Sequence, residues 1–572
     1  MAEDQKSNVK PAWWLALLGI FLILSGTFFA DRIRTSDRVS VQDIRFTGTN
    51  GTVMSALLYV PASATKETPA PGILAVHGYI NSRETQDGFS IEFARRGYVV
   101  LALDQTGHGY SGGAAFSNGF GGPDGLKHLR SLPMVDKNQI GLEGHSMGGW
   151  TVLAAAAAMP NDYQSIVLEG SSTGAPFAKD GSSTWPRNLA LVFSQYDEFS
   201  KVMWGVDRAK DVGSSAKLKG VFGTNVNVVE GQSYGSIADG TARILHQPAT
   251  THPGDHFSPD AIGHATDWFA KTLKGGTPRP SSDQIWFGKE IGTGIGLIGF
   301  VLLVLGVFDI LWRLPVFKPL NGLAVPACPT RNRGWWLRFA MSAGIPALLF
   351  FPAFVAIYVL VPPSSFLPQM VTTQVTFWAL LCAGVALVIK RFTGPVPAKG
   401  LAPWMLSIMI AALTVAAAYS VFMISDALFN TDLRFWIVAL KLPNFNQLTT
   451  ALIYVVPLTF AYVLTLGTLC HELTVKGDST ATMYISAIMS LTLGFMLLFG
   501  SVYAGFFASG YLITSFDPLS TVIALQFIPI LAAIAIIGIF IWRRTGSHRP
   551  GAVLVAILVT LYVVAGTATQ VA

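Results

Sequence analysis

Gly144-His145-Ser146-Met147-Gly148-Gly149 lies between an apolar run, Gln139-Ile140-Gly141-Leu142-Glu143, and an alanine-rich segment at 150–159. The short apolar run reads as a buried strand and the alanine-rich segment as a helix. A strand, a turn pinched by small residues and a helix thus follow one another, with Ser146 at the apex. Gly144 and Gly148 let the turn close sharply enough to expose the serine oxygen. The following helix points its positive N-terminus at that oxygen. A G-x-S-x-G string alone is common, and a plain turn satisfies it; the flanking chain decides the reading.

Upstream, 38–45 and 52–60 alternate apolar and polar residues around Thr47-Gly48-Thr49-Asn50-Gly51, a β-hairpin pattern. Gly72-Ile73-Leu74-Ala75-Val76 is a short buried strand ending in His77-Gly78-Tyr79. A helical pattern at 83–96 precedes an apolar strand at 98–103, which ends in Asp104-Gln105-Thr106-Gly107-His108-Gly109. A further helix is expected at 123–132. Downstream, 165–168, 189–193 and 243–247 read as strands, and Ser258-Pro259 starts a last helix reaching 273. Strands alternating with helices imply an α/β fold, a mostly parallel sheet with helices on both faces. Residues 198–240 are longer than a strand–helix connection needs and read as an insertion.

The remainder of the 572 residues is of another kind. Overall the chain is 51% hydrophobic and only 13% charged. Apolar runs long enough to cross a bilayer, which takes about 20 residues, fall at 12–30, 288–312, 335–361, 374–391, 402–424, 449–470, 482–511, 518–542 and 550–568. The first has no small-x-small pattern at Phe28 and Ala30, so it reads as an uncleaved anchor. The expected organisation is a cytoplasmic N-terminus (1–11), the anchor (12–30), an extracytoplasmic domain (31–274), a Gly/Pro/Ser-rich linker (275–287) and an all-α membrane domain of about eight helices (288–572). Loop charge orients these spans. Arg313, Lys318, Arg331, Arg333 and Arg338, then Lys390, Arg391 and Lys399, then Lys476, then Arg543, Arg544 and Arg549 mark loops on one side. Loops at 362–373 and around Ser515-Phe516-Asp517, and the C-terminal tail, carry no Lys or Arg. Lys6 and Lys10 place the N-terminus with the basic loops. Arg32, Arg34, Arg38 and Arg45 disagree, and Arg434 and Lys441 lie along a longer fourth loop. The net charge of +6 belongs mostly to such loops and implies no nucleic acid. Cys328, Cys382 and Cys470 all lie in the membrane half, which excludes a thiol nucleophile from the soluble half.

His77-Gly78-Tyr79, then Asp104-x-x-Gly107-His108-Gly109-x-Ser111, then Gly144-His145-Ser146-Met147-Gly148-Gly149 resemble the α/β-hydrolase superfamily, nearest its dienelactone-hydrolase-like and serine-peptidase-like branches. The resemblance covers about 38–274 and stops short of the membrane half. It implies that Ser146 sits on a nucleophile elbow and that the backbone N–H groups of Met147 and Tyr79 form the oxyanion hole. It also implies the chain order nucleophile, acid, histidine, which makes His77 a scaffold residue; His108 and His145 lie inside motif turns. The acid follows a later strand, where Ser194-Gln195-Tyr196-Asp197-Glu198 presents Asp197, with Glu198 adjacent and Glu169 a weaker alternative. Of the late histidines, His264 falls in the last helix. His252 is placed first as the base, about sixteen residues before Trp268-Phe269, and His256 stays open as the alternative.

The expected function is a membrane-bound serine hydrolase that cleaves an ester, thioester or amide outside the cytoplasm. Its partners would be a small-molecule or lipid-like acyl substrate and membrane lipids, with no cofactor and no metal. A serine aminopeptidase on the same fold is one alternative. A non-catalytic ligand-binding domain of a transporter or signalling protein is the other. His471-Glu472 lacks the second histidine that a zinc helix needs. Asp309, Asp426, Asp432 and Glu472 are expected as interfacial residues near span ends.

Overall fold

The computed structural model describes residues 10–321, 328, 330–390 and 401–571. Lys6, Arg391 and Lys399, and most of segment 1–11, lie outside the described residues.

Helix α1 (Trp14–Arg34) leads into the soluble half. Its sheet holds β1 (Ser40–Thr47), β2 (Val53–Val60), β3 (Ala70–Val76), β4 (Val99–Leu103), β5 (Val135–His145), β6 (Ser165–Glu169), β7 (Leu189–Val192) and β8 (Arg243–His246), in the order β1-β2-β4-β3-β5-β6-β7-β8. β1 and β2 form the hairpin, with Ser40 opposite Val60, and β2 runs antiparallel to β4. Every later pairing is parallel. β3, β4, β6 and β7 are buried throughout, as the unbroken apolar runs require of parallel strands covered on both faces.

Helix α2 (Asp87–Arg95) lies on one face, and α3 (Gly122–Ser131) and α4 (Met147–Ala158) lie on the other. The insertion folds as α5 (Ser200–Trp204), a 3-10 turn and α6 (Ala216–Phe222). α7 (Pro259–Thr272) joins α2 on its face, where Phe93 meets Phe269 edge to face at 5.3 Å. Two helices differ from expectation. The run at 83–96 opens with a separate 3-10 turn before α2, and α4 starts at Met147 rather than 150, because the glycines after Ser146 already adopt helical geometry.

The membrane half comprises α8 (Phe287–Trp312), α9 (Arg333–Leu360), α10 (Met370–Lys390), α11 (Trp404–Phe429), α12 (Phe445–Glu472), α13 (Thr480–Ser509), α14 (Pro518–Ala524), α15 (Phe527–Thr545) and α16 (Arg549–Gly566). Among the described residues, nine helices, counting α14 and α15 as one span, are long and apolar enough to cross a membrane. The chain is thus a multi-pass membrane protein. The expected span at 518–542 is broken at Leu525-Gln526. Pro529 has no N–H for the Leu525 carbonyl and its ring crowds that carbonyl, so the helix interrupts there. The longer fourth loop folds into a hairpin of β9 (Leu433–Phe435) and β10 (Val438–Leu440).

This hairpin packs against the soluble half rather than facing solvent. Trp436 Nε1 donates to the Pro253 carbonyl at 2.7 Å, and Lys441 Nζ lies 3.2 Å from Glu84 Oε2. The last described residues join the same surface: Thr569 N–H donates to the Gly107 carbonyl at 2.8 Å and its carbonyl accepts from Ala115 N–H at 2.7 Å. Asp309 is no free interfacial charge either, since Arg313 and Arg544 lie 3.0 Å and 2.7 Å from it.

Candidate active site

The parallel strands end level with one another. Val76 pairs with Gly144, His145 with Glu169, and Val192 with His246. The turns beyond these ends therefore gather on one edge of the sheet, where open α/β sheets place ligands.

Ser146 occupies the tight turn between β5 and α4 with φ 54° and ψ −120°. A non-glycine residue rarely adopts such a backbone, and surrounding structure must hold it there. Three contacts do so. Ser146 N–H donates to the Glu169 carbonyl at 2.8 Å, and the Ser146 carbonyl accepts from Gly149 N–H at 3.0 Å and Ser171 Oγ at 2.7 Å. The elbow glycines are required by close approach: a Cβ on Gly144 would overlap the Gly148 carbonyl, and one on Gly148 would overlap the Val76 carbonyl. Met147 is the first residue of α4, so its N–H has no partner within the helix.

The turn after β3 closes on the serine from the other side. A Cβ on Gly78 would stand 3.1 Å from Ser146 Cβ, a tight contact that glycine avoids. Tyr79 is next in the chain. Its hydroxyl accepts from Gln570 Nε2 at 3.1 Å, and its ring stacks on Phe116. His77 pins the turn: its Nδ1 donates to the Gly78 carbonyl at 2.6 Å and its Nε2 accepts from Gln105 N–H at 3.2 Å. With both nitrogens engaged, it holds scaffold rather than reaching the serine.

A parallel bridge between Tyr196 and Thr251 carries the β7–β8 register past the strand ends. It sets the next residues, Asp197 and His252, side by side. His252 Nδ1 donates to Asp197 Oδ2 at 2.8 Å, and both side chains are buried. Gly170, at φ +52°, stands behind them, where a Cβ would come within 2.8 Å of His252 Nδ1. Burial lowers the His252 pKa to about 4, against an upward pull from Asp255. Burial, with Asp255 nearby, raises Asp197 well above the ordinary carboxylate range. Burial is the largest cause of both shifts, and His252 stands as the neutral imidazole that can accept a proton.

Of the other residues singled out in the sequence, His145 Nε2 donates to the His252 carbonyl at 3.0 Å, Glu198 also meets His252, and the rest make no hydrogen bond to this pair among the described residues. His256 has its ring 4.2 Å from that of His145, and its Nδ1 is not hydrogen-bonded to a described residue. His264 stacks on His246 at 3.8 Å. Glu169 is buried, and neither of its carboxylate oxygens is hydrogen-bonded to a described residue. Glu198 has a role that its sequence position only hinted at. Its Oε2 accepts from His252 N–H at 2.8 Å and its Oε1 from the Tyr503 hydroxyl of α13 at 2.8 Å. Burial, then the adjacent Asp197, raises the Glu198 pKa to about 8. Gln570 and Tyr503 gave no sequence signal, because each meets the site across more than 300 residues of chain.

Ser146, Met147, Tyr79 and His252 line one cavity of about 610 Å³, whose far wall is supplied by the membrane half, including Tyr358 and Gln374. The arrangement offers an exposed hydroxyl, a neutral imidazole held by a carboxylate, and two backbone N–H groups at adjoining turns.

Residues 67–197 match the family described as serine aminopeptidase, S33. The chain is 31% identical over 127 residues to a monoacylglycerol lipase of Mycolicibacterium smegmatis, a match covering 19% of this chain and 41% of that protein. It thus spans about two fifths of the length of that curated relative. An esterase structure from Pyrococcus furiosus aligns with a TM-score of 0.31 at 17% identity, over 41% of this chain and 92% of that one. A carboxyl esterase of Bacillus coagulans, solved with glycerol, aligns with a TM-score of 0.20 at 23% identity, over 24% of this chain and 46% of that one. The strand order, the strained serine turn and the family match agree: the soluble half is an α/β-hydrolase domain, joined to helices of membrane-spanning length.

Proposed function

We propose that the chain is a membrane-bound serine hydrolase that cleaves an ester, thioester or amide through an acyl-enzyme on Ser146. The observation that carries this is the buried His252–Asp197 pair opening, with Ser146, into one cavity. In this reading His252 Nε2 takes the Ser146 proton as Oγ attacks the acyl carbon. The resulting oxyanion is held by the N–H groups of Met147 and Tyr79. The intermediate collapses, and His252 returns the proton to the leaving group. Water, deprotonated by His252, then releases the acid and restores Ser146. Asp197 orients the imidazole and stabilises its charged form. His256 takes no step.

The domain of 31–274, with its insertion at 198–240, does the chemistry. The anchor at 12–30, the linker at 275–287 and the membrane domain at 288–572 hold it against the bilayer. The lipase relative favours an acyl ester, including a lipid-like one. The serine aminopeptidase match favours a peptidase as the second reading. A fluorophosphonate probe should label the full chain, and Ser146→Ala should abolish labelling. An unlabelled but folded wild type would leave only the ligand-binding alternative. Nitrophenyl esters set against aminoacyl anilides separate esterase from peptidase.

The site is placed on the extracytoplasmic side, with the N-terminus in the cytoplasm and the protein in the cell membrane. Two facts support this orientation. Arg434 and Lys441, the basic residues of the fourth loop, are buried against Asp432 and Glu84 and are not free loop charges. Arg34, after α1, is buried beside Asp87. Arg32, Arg38 and Arg45 stay exposed on the other side of α1, while the loops that follow α8 alternate as a single orientation requires. A cysteine placed on the exposed insertion should react with an impermeant maleimide in intact cells; protection until lysis would reverse the assignment.

A further inference from the structure

The cavity that holds Ser146 does not end at the domain boundary. Its lower wall contains Ile80, Asn81, Val371, Ile437 and Gln526, and the same five residues form the mouth of a second, narrower cavity of about 60 Å³. This slot runs down between α10, α15 and α16. Val375 and Trp378 line it from α10, Ile530 and Ile534 from α15, and Val559 from α16. Val371 and Trp378 are seven residues apart on α10, which at 1.5 Å per residue sets the descent at about 10 Å. Asn81 and Gln526 lie at the mouth, and the rest of the lining is mostly hydrocarbon and aromatic; of its other polar members, Lys441 is paired with Glu84, the Tyr562 hydroxyl donates to Gln526 Oε1 at 2.6 Å and the Thr567 hydroxyl donates to Gln369 Oε1 at 3.1 Å, which leaves the Tyr462 hydroxyl. Such a passage suits one kind of occupant, a linear apolar chain whose polar end stays above. Ser146 lines the larger cavity into which this mouth opens.

We propose that this slot is the acyl-chain subsite of the hydrolase. The substrate is an ester, thioester or amide of a medium- or long-chain acid, bound with its carbonyl at Ser146 and its tail inside the membrane domain. The proposal rests on the reading of Ser146 as nucleophile and adds the substrate's acyl class. It also gives the membrane helices a task that one anchor helix would not perform. The tail leaves water for an apolar slot, so each methylene added up to the slot's depth raises kcat/KM by up to about fourfold. Filling the slot from its wall should cut off long tails first. Val375→Phe blocks near the mouth, and Ile534→Phe blocks deeper.

The test measures kcat/KM of the full-length protein in detergent micelles against nitrophenyl esters of two to sixteen carbons. Wild type should rise with chain length and then level off. The twelve-carbon to four-carbon ratio should fall at least tenfold in Val375→Phe, with a longer cut-off in Ile534→Phe. Leu497→Phe, on the exposed face of α13, should keep the wild-type ratio. Fluorophosphonate labelling reports in each variant that the site is assembled. If a bulky variant is not labelled, Val559→Ala replaces it and should shift the preference toward longer chains. A flat wild-type profile, or an unchanged ratio in labelled Val375→Phe and Ile534→Phe, overturns the subsite while leaving Ser146 as nucleophile. Absence of labelling and of hydrolysis at every length overturns the nucleophile, and the subsite with it.

Discussion

The proposed chemistry rests on a few side chains held in conditions they would not choose alone. His252 is buried against Phe199 and His145 and accepts no stabilising charge contact shorter than its bond to Asp197. Burial places its pKa at about 4, below the ordinary 6.5. The imidazole is competent as a base only when neutral, so activity is present above that pKa and lost as pH falls through it. The acid limb of kcat/KM for a soluble ester should therefore lie near pH 4; a limb near 6.5 would contradict the burial argument. His252→Ala should lower kcat by at least about 10³-fold, and His256→Ala should act on substrate affinity instead, since His256 lines the cavity without touching Asp197. These residues were legible in the sequence for a local reason. Ser146, His77 and Asp104 each sit in a glycine-bearing turn directly after a strand, a pattern contained in one short segment. Asp197 and His252 each follow a strand end. The Tyr196–Thr251 bridge sets His252, and not His256, beside Asp197, in a register that no single segment displays.

At the scale of elements, the membrane helices show which properties a sequence states openly. The length of each span is written as an apolar run, because the bilayer imposes one length on all of them. Their pairing is not written that way. α1 and α8 pack antiparallel along a seam of small residues in which Gly19 faces Gly299, Gly26 faces Gly292 and Ala16 faces Gly306. A Cβ on Gly299 would reach the Gly19 carbonyl at 2.9 Å and Leu22 Cβ at 2.8 Å. Small residues drive such contacts in membranes by letting backbones approach. The seven-residue spacing of Gly292, Gly299 and Gly306 is visible in hindsight, but their partners lie some 280 residues earlier. Gly299→Leu should therefore force the helices apart at a cost of about 1–3 kcal/mol, read as a lower Tm of the detergent-solubilised protein. Ile298→Ala, beside it on the exposed face, should stay within about 0.5 kcal/mol. The β9–β10 hairpin escaped sequence reading because its strands have three residues each, too few to show a period.

At the scale of the whole molecule, the hydrolase domain is not tethered loosely to its membrane part but bolted to it through buried charge. Asp87, at the start of α2, is the clearest case. Its carboxylate lies 3.0 Å from Lys289 Nζ of α8 and 3.8 Å from Arg34 Nε of α1, and it accepts from the Tyr59 hydroxyl at 2.6 Å. The Arg34 guanidinium also donates to the Asn430 carbonyl at 2.8 Å, which ties the end of α11 to the same point. Burial alone would raise the Asp87 pKa, but Lys289, Arg34 and Tyr59 outweigh it and hold the group below the ordinary range, so it is ionised at neutral pH. One hydrolase carboxylate thus neutralises cations from two membrane helices. Composition hid this arrangement, since each residue appeared as an isolated charge near a span end. Asp87→Ala would leave Lys289 and Arg34 buried with less counter-charge, which costs about 3–5 kcal/mol where one partner of a buried pair is removed. Glu290 remains beside Lys289 and softens the loss there. Asp87→Asn keeps an acceptor for Tyr59 but no charge, and should fall between wild type and Asp87→Ala. The ranking is checked by thermal unfolding of the full-length protein in detergent near neutral pH. Equal Tm values for all three proteins would show that the two halves are held together by apolar packing alone.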